Sequence, residues 1–273
     1  MDLIYVDQKK CTQCGICVDI CPPRIIHMEK NGPILSNPDS CLACGHCVAI
    51  CPQTAINNVK APLSNQASLI KNPVIDSDSA YQFIRSRRSI RCYKNQKVPR
   101  DLLLKLLDIA RFAPTASNKQ GISYIIVDDT EILQKITQIV IEWMEENQSI
   151  WWSFPIHIRA YKEHGIDGIF HSAPNLIVAT APRGFKNGRE NTILSFSYLE
   201  LFANTLGLGS AWAGLFEMCA FSNYPPLVDL LKIPENKSIT GAVMVGYPKY
   251  SFKRLVDRNP LDVTILSNDL VNN

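Results

Sequence analysis

The sequence predicts an α+β protein in which a small cysteine-rich domain precedes a larger domain with a central sheet flanked by helices. Eight of the ten cysteines lie between residues 11 and 51. From about residue 76 onward, apolar residues follow helical and strand-like periods in turn, and a segment containing Pro, Ser and Asn separates the two regions. We therefore expect a first domain at residues 1–60, a linker at 61–75 and a second domain at 76–273.

Composition and charge exclude several classes of protein. The 273 residues include 28 Lys or Arg and 25 Asp or Glu, and a formal net charge of +3 is too small to indicate nucleic-acid binding. No apolar run reaches the roughly eighteen residues that a membrane-spanning helix needs. The N-terminus also lacks the basic and apolar regions of a signal peptide, so we expect a cytoplasmic protein that does not bind membranes.

The first domain is defined by a cysteine pattern that occurs twice. Residues 11–22 and residues 41–52 both read C-x2-C-x2-C-x3-C-P, thirty positions apart. This run ligates iron–sulfur clusters in bacterial two-cluster ferredoxins, and residues 1–60 resemble that family. The resemblance implies two [4Fe–4S] clusters and single-electron transfer.

In that family the fourth cysteine of each run completes the other cluster. The resemblance therefore implies one ligand set of Cys11, Cys14, Cys17 and Cys51, and a second set of Cys21, Cys41, Cys44 and Cys47. Two zinc sites with four cysteines each are the alternative, although zinc sites usually use two C-x2-C pairs separated by a longer loop. The remaining two cysteines, Cys92 and Cys219, are interpreted as small buried hydrophobic residues.

The second domain should alternate helices and strands. Asp76 and its neighbours offer N-cap oxygens for a helix toward Arg88, and leucines from Leu102 onward predict a second helix that ends before Pro114. Strand-like runs follow at 124–127, 176–179 and 242–245, with helices at about 129–148 and 192–206. Gly207 and Gly209 should end the last of these helices, whose apolar residues indicate burial on several sides.

Positive charge is concentrated in the first part of this domain. Residues 81–120 contain ten Lys or Arg but only Asp101 and Asp108 as acidic residues, which indicates an anionic ligand or a solvated basic helix face. Three phrases stand out in this domain: 87–91 (Arg-Arg-Ser-Ile-Arg), 113–120 (Ala-Pro-Thr-Ala-Ser-Asn-Lys-Gln) and 246–249 (Gly-Tyr-Pro-Lys), the last followed by Arg254. In this order, they make residues 76–256 resemble the nitroreductase family of FMN enzymes.

The resemblance implies a nitroreductase-like mixed α/β sandwich that binds FMN. Guanidinium groups and a hydroxyl suit the flavin phosphate, and amides suit the polar edge of the ring. The residues expected to bind the phosphate are Arg87, Arg88, Ser89, Lys249 and Arg254, with Arg91 either a further ligand or a solvated charge. Those expected to line the ring are Pro114, Thr115, Ala116, Ser117, Asn118, Gln120, Ala213 and Gly214.

The expected function is an oxidoreductase without a catalytic triad, because the flavin carries the chemistry. A low-potential donor such as ferredoxin would supply electrons through the two clusters to FMN, and an organic acceptor such as a nitroaromatic or quinone would receive them. The family resemblance also implies a homodimer, with the helix at 192–206 as its core. Aromatic residues between Trp143 and His171 form either a substrate lid or ordinary core.

Two other functions remain open at this point. The chain could be an electron-transfer adaptor to a protein partner, with no small substrate. It could also be a specific FMN dehydrogenase that works in the oxidative direction and discharges electrons through the clusters. NAD(P)H is an alternative donor to ferredoxin, because the resemblance implies nicotinamide binding without a Gly-rich fingerprint.

Overall fold

The computed structural model describes residues 2–70 and 75–267. The N-terminal domain contains two short helices and four short strands. These are β1 (Ile4–Val6), α1 (Ile16–Asp19), β2 (Ile26–Glu29), β3 (Gly32–Leu35), α2 (His46–Ala49) and β4 (Ile56–Asn58). Strand β1 pairs antiparallel with β4, and β2 pairs antiparallel with β3.

The backbone of this domain repeats as its sequence does. Gly15 and Gly45 precede α1 and α2 with φ of 81° and 72°, a left-handed conformation that glycine adopts without a steric penalty. Two further pairs of left-handed residues keep the same spacing, namely Gln13 with Ala43 and Arg24 with Thr54. The chain therefore curls in the same way around both halves of the domain.

The segment after β4 folds back over the second cysteine run. The Asn57 Oδ1 accepts a hydrogen bond from the Leu63 backbone at 2.9 Å, and the Gln66 side chain donates to the Ala61 carbonyl at 3.1 Å. Gln66 Nε2 lies 3.0 Å from the position that a Cβ on Gly45 would take. Pro62 belongs to this segment, whereas Pro73 lies outside the described residues.

A four-stranded sheet forms the centre of the second domain, in the order β5-β6-β8-β7 with all neighbours antiparallel. Its strands are β5 (Ser123–Val127), β6 (Asn175–Pro182), β7 (Gly209–Trp212) and β8 (Lys237–Gly246). Its helices are α3 (Ser77–Ser86), α4 (Arg100–Ala110), α5 (Thr130–Glu146), α6 (Phe154–His164), α7 (Gly188–Thr205), α8 (Gly214–Phe221) and α9 (Pro225–Leu230).

The sheet lies between two layers of helices, because successive residues of a strand point to opposite faces. On β6, Leu176 and Val178 pack into the core beneath α5, α8 and α9. Ile177 and Ala179 belong to the other core, with α4 and α7. This sandwich confirms the predicted fold class, and the alternation explains why β6 is apolar along nearly its whole length.

Most predicted helices and strands are present with slightly different ends. Asp76 caps α3 by accepting hydrogen bonds from the backbones of Asp78 and Ser79, as its sequence indicates. Helix α7 ends before Gly207, which has a φ of 68° and allows the Leu208 backbone to bond to Ala203. No helix among the described residues has the length and apolar character needed to cross a membrane.

One expectation about the cysteines outside the two runs was wrong. Cys92 is exposed, whereas Cys219 is buried as expected. Burial raises the pKa of Cys219 to about 12, so this thiol stays protonated at neutral pH. Helix α7 is buried on one side, where Phe196 and Leu199 meet the sheet, and its opposite side leaves Leu194 and Tyr198 exposed.

Candidate functional site

The eight cysteines of the repeated runs form two groups in space. Cys11, Cys14, Cys17 and Cys51 line one cavity in the N-terminal domain. A second cavity is lined by the other four, Cys21, Cys41, Cys44 and Cys47. These are the two sets that the sequence pattern implies, and the donor chemistry of four thiols around a cavity fits a [4Fe–4S] cluster. We name them the Cys11 site and the Cys41 site.

The two sites receive different hydrogen bonds at sulfur. At the Cys11 site, the Ala55 backbone donates to Cys51 Sγ at 3.2 Å. At the Cys41 site, the buried side chain of Asn58 approaches Cys41 Sγ with its Nδ2 at 3.7 Å. Thirty positions earlier, the residue equivalent to Asn58 is Met28, which lines the Cys11 cavity.

Three of the cysteines, Cys17, Cys21 and Cys47, are buried in the domain. Burial raises the pKa of the Cys17 and Cys47 thiols. Neighbouring cysteines raise the pKa further, because thiolates close together repel one another. A metal that binds here must therefore displace protons. Within residues 2–70 and 75–267, no three His, Cys, Asp or Glu side chains converge closely enough to hold a single metal ion.

A cavity of about 260 Å³ in the second domain is lined by Arg87 and Arg88. It lies where the end of α3, strand β7 and the segment after β8 meet. Ser86 and Asn204, which are hydrogen-bonded to each other at 2.9 Å, add polar groups to its wall. Two guanidinium groups with a hydroxyl and an amide fit a phosphate group, as the sequence pattern implies for FMN. We name this the arginine cavity.

The arginine cavity also contains Glu200, which the sequence analysis missed. Its carboxylate is 7 % exposed, accepts hydrogen bonds from Ser210 Oγ at 3.0 Å and Trp212 Nε1 at 3.1 Å, and lies 3.6 Å from Arg87 Nη1. These partners stabilise a buried charge that would otherwise be costly. Trp212 also packs against Phe196, with 5.3 Å between ring centroids.

Other residues predicted to bind the phosphate do not line the arginine cavity. Ser89 lies at its edge and pairs with Ser210 of β7 in an isolated parallel bridge. Arg91, Lys249 and Arg254 are exposed, and none is among the lining residues. Lys249 nevertheless stands between Pro248 and Tyr250, which both line the cavity.

The predicted ring-binding loop, residues 114–120, is separate from the arginine cavity. Its backbone is unusual, because Ser117, Asn118 and Gln120 all have positive φ. Thr115 holds the loop closed by accepting a hydrogen bond from the Gln120 backbone at 2.9 Å. Within one chain, the loop thus does not line the cavity that holds Arg87 and Arg88.

The amide of Asn118 joins the two domains. Its Nδ2 donates to the Leu42 carbonyl at 3.0 Å and to the Ala43 carbonyl at 3.1 Å. Leu42 and Ala43 lie between Cys41 and Cys44, on the loop that forms the Cys41 site. The loop predicted to line the flavin ring therefore contacts a loop predicted to hold a cluster.

Ala213 and Gly214 connect β7 to α8. Ala213 is fully buried and donates its backbone N–H to Ala242. Gly214 is exposed, and a Cβ added to it would meet no atom within 4 Å. The open space beside Gly214 fits the predicted approach of a flat ring to this backbone.

The aromatic segment before His171 divides into core and surface. Phe154 is fully buried and packs edge-on against Trp143, with 5.6 Å between ring centroids, so both are core residues and not lid residues. Trp151 and Trp152 are exposed. Only the exposed pair remains suited to the predicted lid.

Comparison with known protein families matches both domains. The sequence profile described as the nitroreductase family matches residues 84–247, and the profile of a 4Fe-4S dicluster domain matches residues 3–52. A putative NADH dehydrogenase/NAD(P)H nitroreductase of Archaeoglobus fulgidus is 27 % identical over 176 residues, which cover 63 % of this chain and 87 % of the relative. Iodotyrosine deiodinase 1 of Sus scrofa is 24 % identical over 213 residues, which cover 74 % and 72 %.

Solved structures share the fold of the second domain. A nitroreductase with bound FMN from Bacteroides fragilis gives a TM-score of 0.57 at 19 % identity, and the match covers 71 % of this chain and all of that one. An oxidized iodotyrosine deiodinase bound to FMN and 3-iodo-L-tyrosine gives 0.54 at 21 % identity, covering 68 % and 98 %. At this level of identity the similarity establishes the fold.

Proposed function

Because the chain belongs to the nitroreductase family and carries a 4Fe-4S dicluster domain, we propose that it transfers electrons from a reduced ferredoxin to an organic acceptor such as a nitroaromatic or a quinone. It is an FMN-dependent oxidoreductase, with FMN and two [4Fe–4S] clusters as its cofactors. The donor, the acceptor and the path between them constitute the proposal.

The cysteine sites and the arginine cavity give each cofactor a place in the chain. The clusters, when bound, supply single-electron transfer, and FMN supplies hydride transfer at its N5. Arg87 and Arg88 would hold the phosphate, and Gln120 would present its amide near the ring edge. Asn118, whose Nδ2 donates to the Leu42 and Ala43 carbonyls, would present only its Oδ1 there. The chain itself contributes binding, orientation and the exclusion of water.

The observation that carries the proposal is the contact between Asn118 and the loop of the Cys41 site. If a flexible linker were the only connection, the cluster domain would serve equally well as a module that docks a partner protein. Direct hydrogen bonds between a cluster loop and the predicted flavin loop instead favour electron transfer between the two cofactors within one protein.

We propose that the working form is a homodimer. Helix α7 presents Ile193, Leu194 and Tyr198 to solvent, each 41 % exposed, on the side opposite its buried face. An exposed apolar surface of this kind often marks a protein–protein interface. A second copy would also explain why the 114–120 loop of one chain does not line that chain's arginine cavity, since each copy could complete the other's FMN site.

The attached cluster domain favours ferredoxin over NAD(P)H as the donor, because clusters that accept single electrons would be unnecessary for hydride donors. The Archaeoglobus relative is nevertheless named an NAD(P)H nitroreductase, so both donors require testing. Thiolate-bound clusters and the free thiol of Cys92 are compatible with a reducing compartment, and we propose a cytoplasmic location.

The decisive experiment uses protein purified without oxygen. We expect iron, sulfide and FMN in the ratio of two four-iron clusters to one flavin, and faster flavin reduction by reduced ferredoxin than by NAD(P)H in stopped flow. Cys14→Ser should lower the iron content and abolish the ferredoxin-driven reduction. Cys92→Ser is the matched control, because both cysteines are exposed but Cys92 lies outside the two cysteine sites, whereas Cys14 lies within one of them.

The acceptor is tested with the same reduced protein. Rapid flavin reoxidation by a nitroaromatic or quinone, with no reaction toward carrier proteins, would exclude an electron-transfer adaptor. 3-Iodo-L-tyrosine belongs in the panel, because iodotyrosine deiodinases are among the relatives. If no organic acceptor reoxidises the flavin, the reductase proposal is wrong. If a reduced organic compound instead charges the clusters, the protein is a dehydrogenase.

A further inference from the structure

The two cysteine sites differ in their contact with the second domain. Asn118 donates two hydrogen bonds, at 3.0 and 3.1 Å, to backbone carbonyls between Cys41 and Cys44. The equivalent loop of the Cys11 site makes its side-chain hydrogen bond within its own domain, from Gln13 to the Lys30 carbonyl at 3.0 Å. Among residues 2–70 and 75–267, the hydrogen bonds of that loop do not reach the second domain.

The carbonyls that Asn118 contacts are fixed by the cysteines on either side. Ala43 has a φ of 51°, and Gly45 follows in the same left-handed region. A cluster held by Cys41 and Cys44 would draw this loop tightly around itself, so the peptide groups that Asn118 touches would border the cluster. The hydrogen bonds thus form a short connection from the Cys41 site to the predicted flavin loop.

From this asymmetry we propose that the Cys41 site is the electron exit to the flavin, that the Cys11 site is the entry, and that Asn118 is the residue that positions the flavin loop against the exit. The inference rests on the proposed function and assigns an order to its two cluster sites. Electron transfer slows steeply with distance, so the site in contact with the flavin loop has the advantage.

The electron balance of this order is simple. The donor, a reduced low-potential iron–sulfur protein, loses one electron to the Cys11 site, and the same electron then passes to the Cys41 site, which leaves the first site oxidised again. Two such passages, together with a proton from solvent, account for the two-electron reduction of a bound flavin. The acceptor later removes both electrons, and no other oxidant or reductant is needed.

Substitution of Asn118 tests the exit directly. Asn118→Leu keeps the size of the side chain but removes both donors, and Gln13→Leu removes one amide-to-carbonyl bond from the loop of the other site. Anaerobic stopped flow follows the flavin, and freeze-quench EPR follows the clusters, after mixing with reduced ferredoxin at matched FMN content. We expect Asn118→Leu to leave cluster reduction unchanged and to slow flavin reduction by about tenfold, since loss of two hydrogen bonds shifts loop docking by about that factor.

Gln13 lines the Cys11 cavity, so the two variants are compared at the step from reduced clusters to the flavin, where Gln13→Leu should match the wild type. The proposal is overturned if the flavin of Asn118→Leu is reduced at the wild-type rate, or if Gln13→Leu slows flavin reduction as much as Asn118→Leu does. If Asn118→Leu does not fold, Asn118→Asp replaces it, because a carboxylate facing two carbonyl oxygens breaks the same contact without a change in size.

A second measurement assigns the exit by potential. Hydrogen bonds to sulfur change the potential of a cluster, so Asn58→Met should lower the midpoint potential of the Cys41 site in an EPR-monitored titration. Met28→Asn is the reciprocal change at the Cys11 site. Protein with both clusters reduced in advance is mixed with acceptor, which oxidises the flavin. The first electron that a cluster then passes to the flavin should arrive faster in Asn58→Met than in the wild type, and at the wild-type rate in Met28→Asn. The reverse pattern would make the Cys11 site the exit.

These measurements separate the two proposals. If ferredoxin does not reduce the wild-type protein, the proposed donor is wrong, and dithionite then supplies the electrons for the same comparison of Asn118→Leu with Gln13→Leu. If ferredoxin reduces all the variants alike, the proposed function stands and the exit is wrong.

Discussion

Glu200 places a nearly buried carboxylate beside the guanidinium group of Arg87. Ser210 and Trp212 hold the carboxylate in place, so Arg87 meets a fixed negative partner at one side of the arginine cavity. A phosphate would have to share Arg87 with Glu200. Arg88, whose guanidinium lies over the ring of Phe252 at 5.5 Å, has no carboxylate partner among the described ion pairs and is the freer ligand.

Arg88→Met should therefore weaken FMN binding. Charge-assisted hydrogen bonds are each worth about 1.5–3 kcal/mol, so we expect the FMN dissociation constant of the apoprotein to rise by at least about tenfold in a fluorescence titration. Arg159→Met is the matched control, because Arg159 is exposed on α6 and does not line the cavity. Equal losses in the two variants would contradict the assignment of the cavity to the phosphate.

Residue-level prediction succeeded where chemistry depends on local spacing and failed where it depends on tertiary contacts. Close spacing groups three cysteines of each set, whereas the fourth, Cys51 or Cys21, was assigned through the resemblance to two-cluster ferredoxins. The sequence signal for Glu200 was weak, because it consists of one acidic residue between Leu199 and Ala203 on the apolar face of α7. The contact of Asn118 with Leu42 joins residues 76 positions apart, and no local pattern could predict it.

His171 should make stability depend on pH. Burial lowers the pKa of this imidazole, helped by Arg91 and His157, while Asp167 opposes them. The unfolded chain therefore takes up the proton more readily than the folded chain. The stability that neutral His171 gives the fold is fully present above pH 6.5, the ordinary pKa of histidine, and is lost as the pH falls below that value. Calorimetry without oxygen should show a smaller acid-induced fall in Tm for His171→Asn than for the wild type.

Asparagine suits this position because the φ of His171 is 52°, a conformation that asparagine tolerates. His164→Asn is the control, since His164 is exposed. An acid response unchanged in His171→Asn, or reduced equally in His164→Asn, would assign the effect to other groups.

Strand β7 is the element that shapes the arginine cavity. The Ile90 backbone donates to the Ser210 carbonyl at 2.9 Å, so the segment that carries Arg87 and Arg88 is attached to the edge of the sheet. This attachment requires a glycine at the start of the strand. A Cβ on Gly209 would lie 2.4 Å from Ile90 Cγ1 and 3.0 Å from Pro248 Cγ.

Gly209→Ala should thus push the arginine segment away from the sheet. Overpacking of this kind typically costs about 1–3 kcal/mol, so we expect a lower Tm and a lower FMN content in the purified protein. Gly214→Ala, two residues beyond the same strand, should leave the Tm near that of the wild type because its Cβ would enter open space. Similar unfolding of the two variants would show that close packing at Gly209 is unimportant.

At the scale of elements, the sequence predicted those with a clear period and a clear end. Helices α3, α4, α5 and α7 and strands β5, β6 and β8 all have such patterns. Strand β7 was missed because its four residues begin with glycine and gain their order from pairing with β8. Helices α6, α8 and α9 were missed too, and α6 begins with a Phe-Pro pair that gives little helical signal on its own.

At the scale of the whole molecule, the proposed dimer places the exposed side of α7 in its interface. Leu194→Glu would place an unpaired carboxylate in the proposed dimer interface, which costs several kcal/mol. Since about 1.4 kcal/mol is a factor of ten, association should weaken by about a hundredfold or more. Light scattering should show monomers, and the FMN content should fall with the dimer.

Ile156→Glu is the control for this prediction, because Ile156 is 58 % exposed on α6 and outside the proposed interface. The Ile156→Glu protein should stay dimeric and keep its FMN. A Leu194→Glu protein that remains dimeric would place the interface elsewhere on the molecule, whereas a monomer that keeps its FMN would show that one chain suffices for the flavin.

The duplicated backbone of the N-terminal domain pairs positions of its two cysteine runs at a spacing of thirty residues. Gly15 corresponds to Gly45, in the same polypeptide and the same solvent. A substitution made at one glycine can therefore be judged against the same substitution at the other, without reference to a second protein. Where both members of a pair are the same residue, the domain serves as its own internal standard, and a difference in their response must come from what the rest of the molecule places beside them.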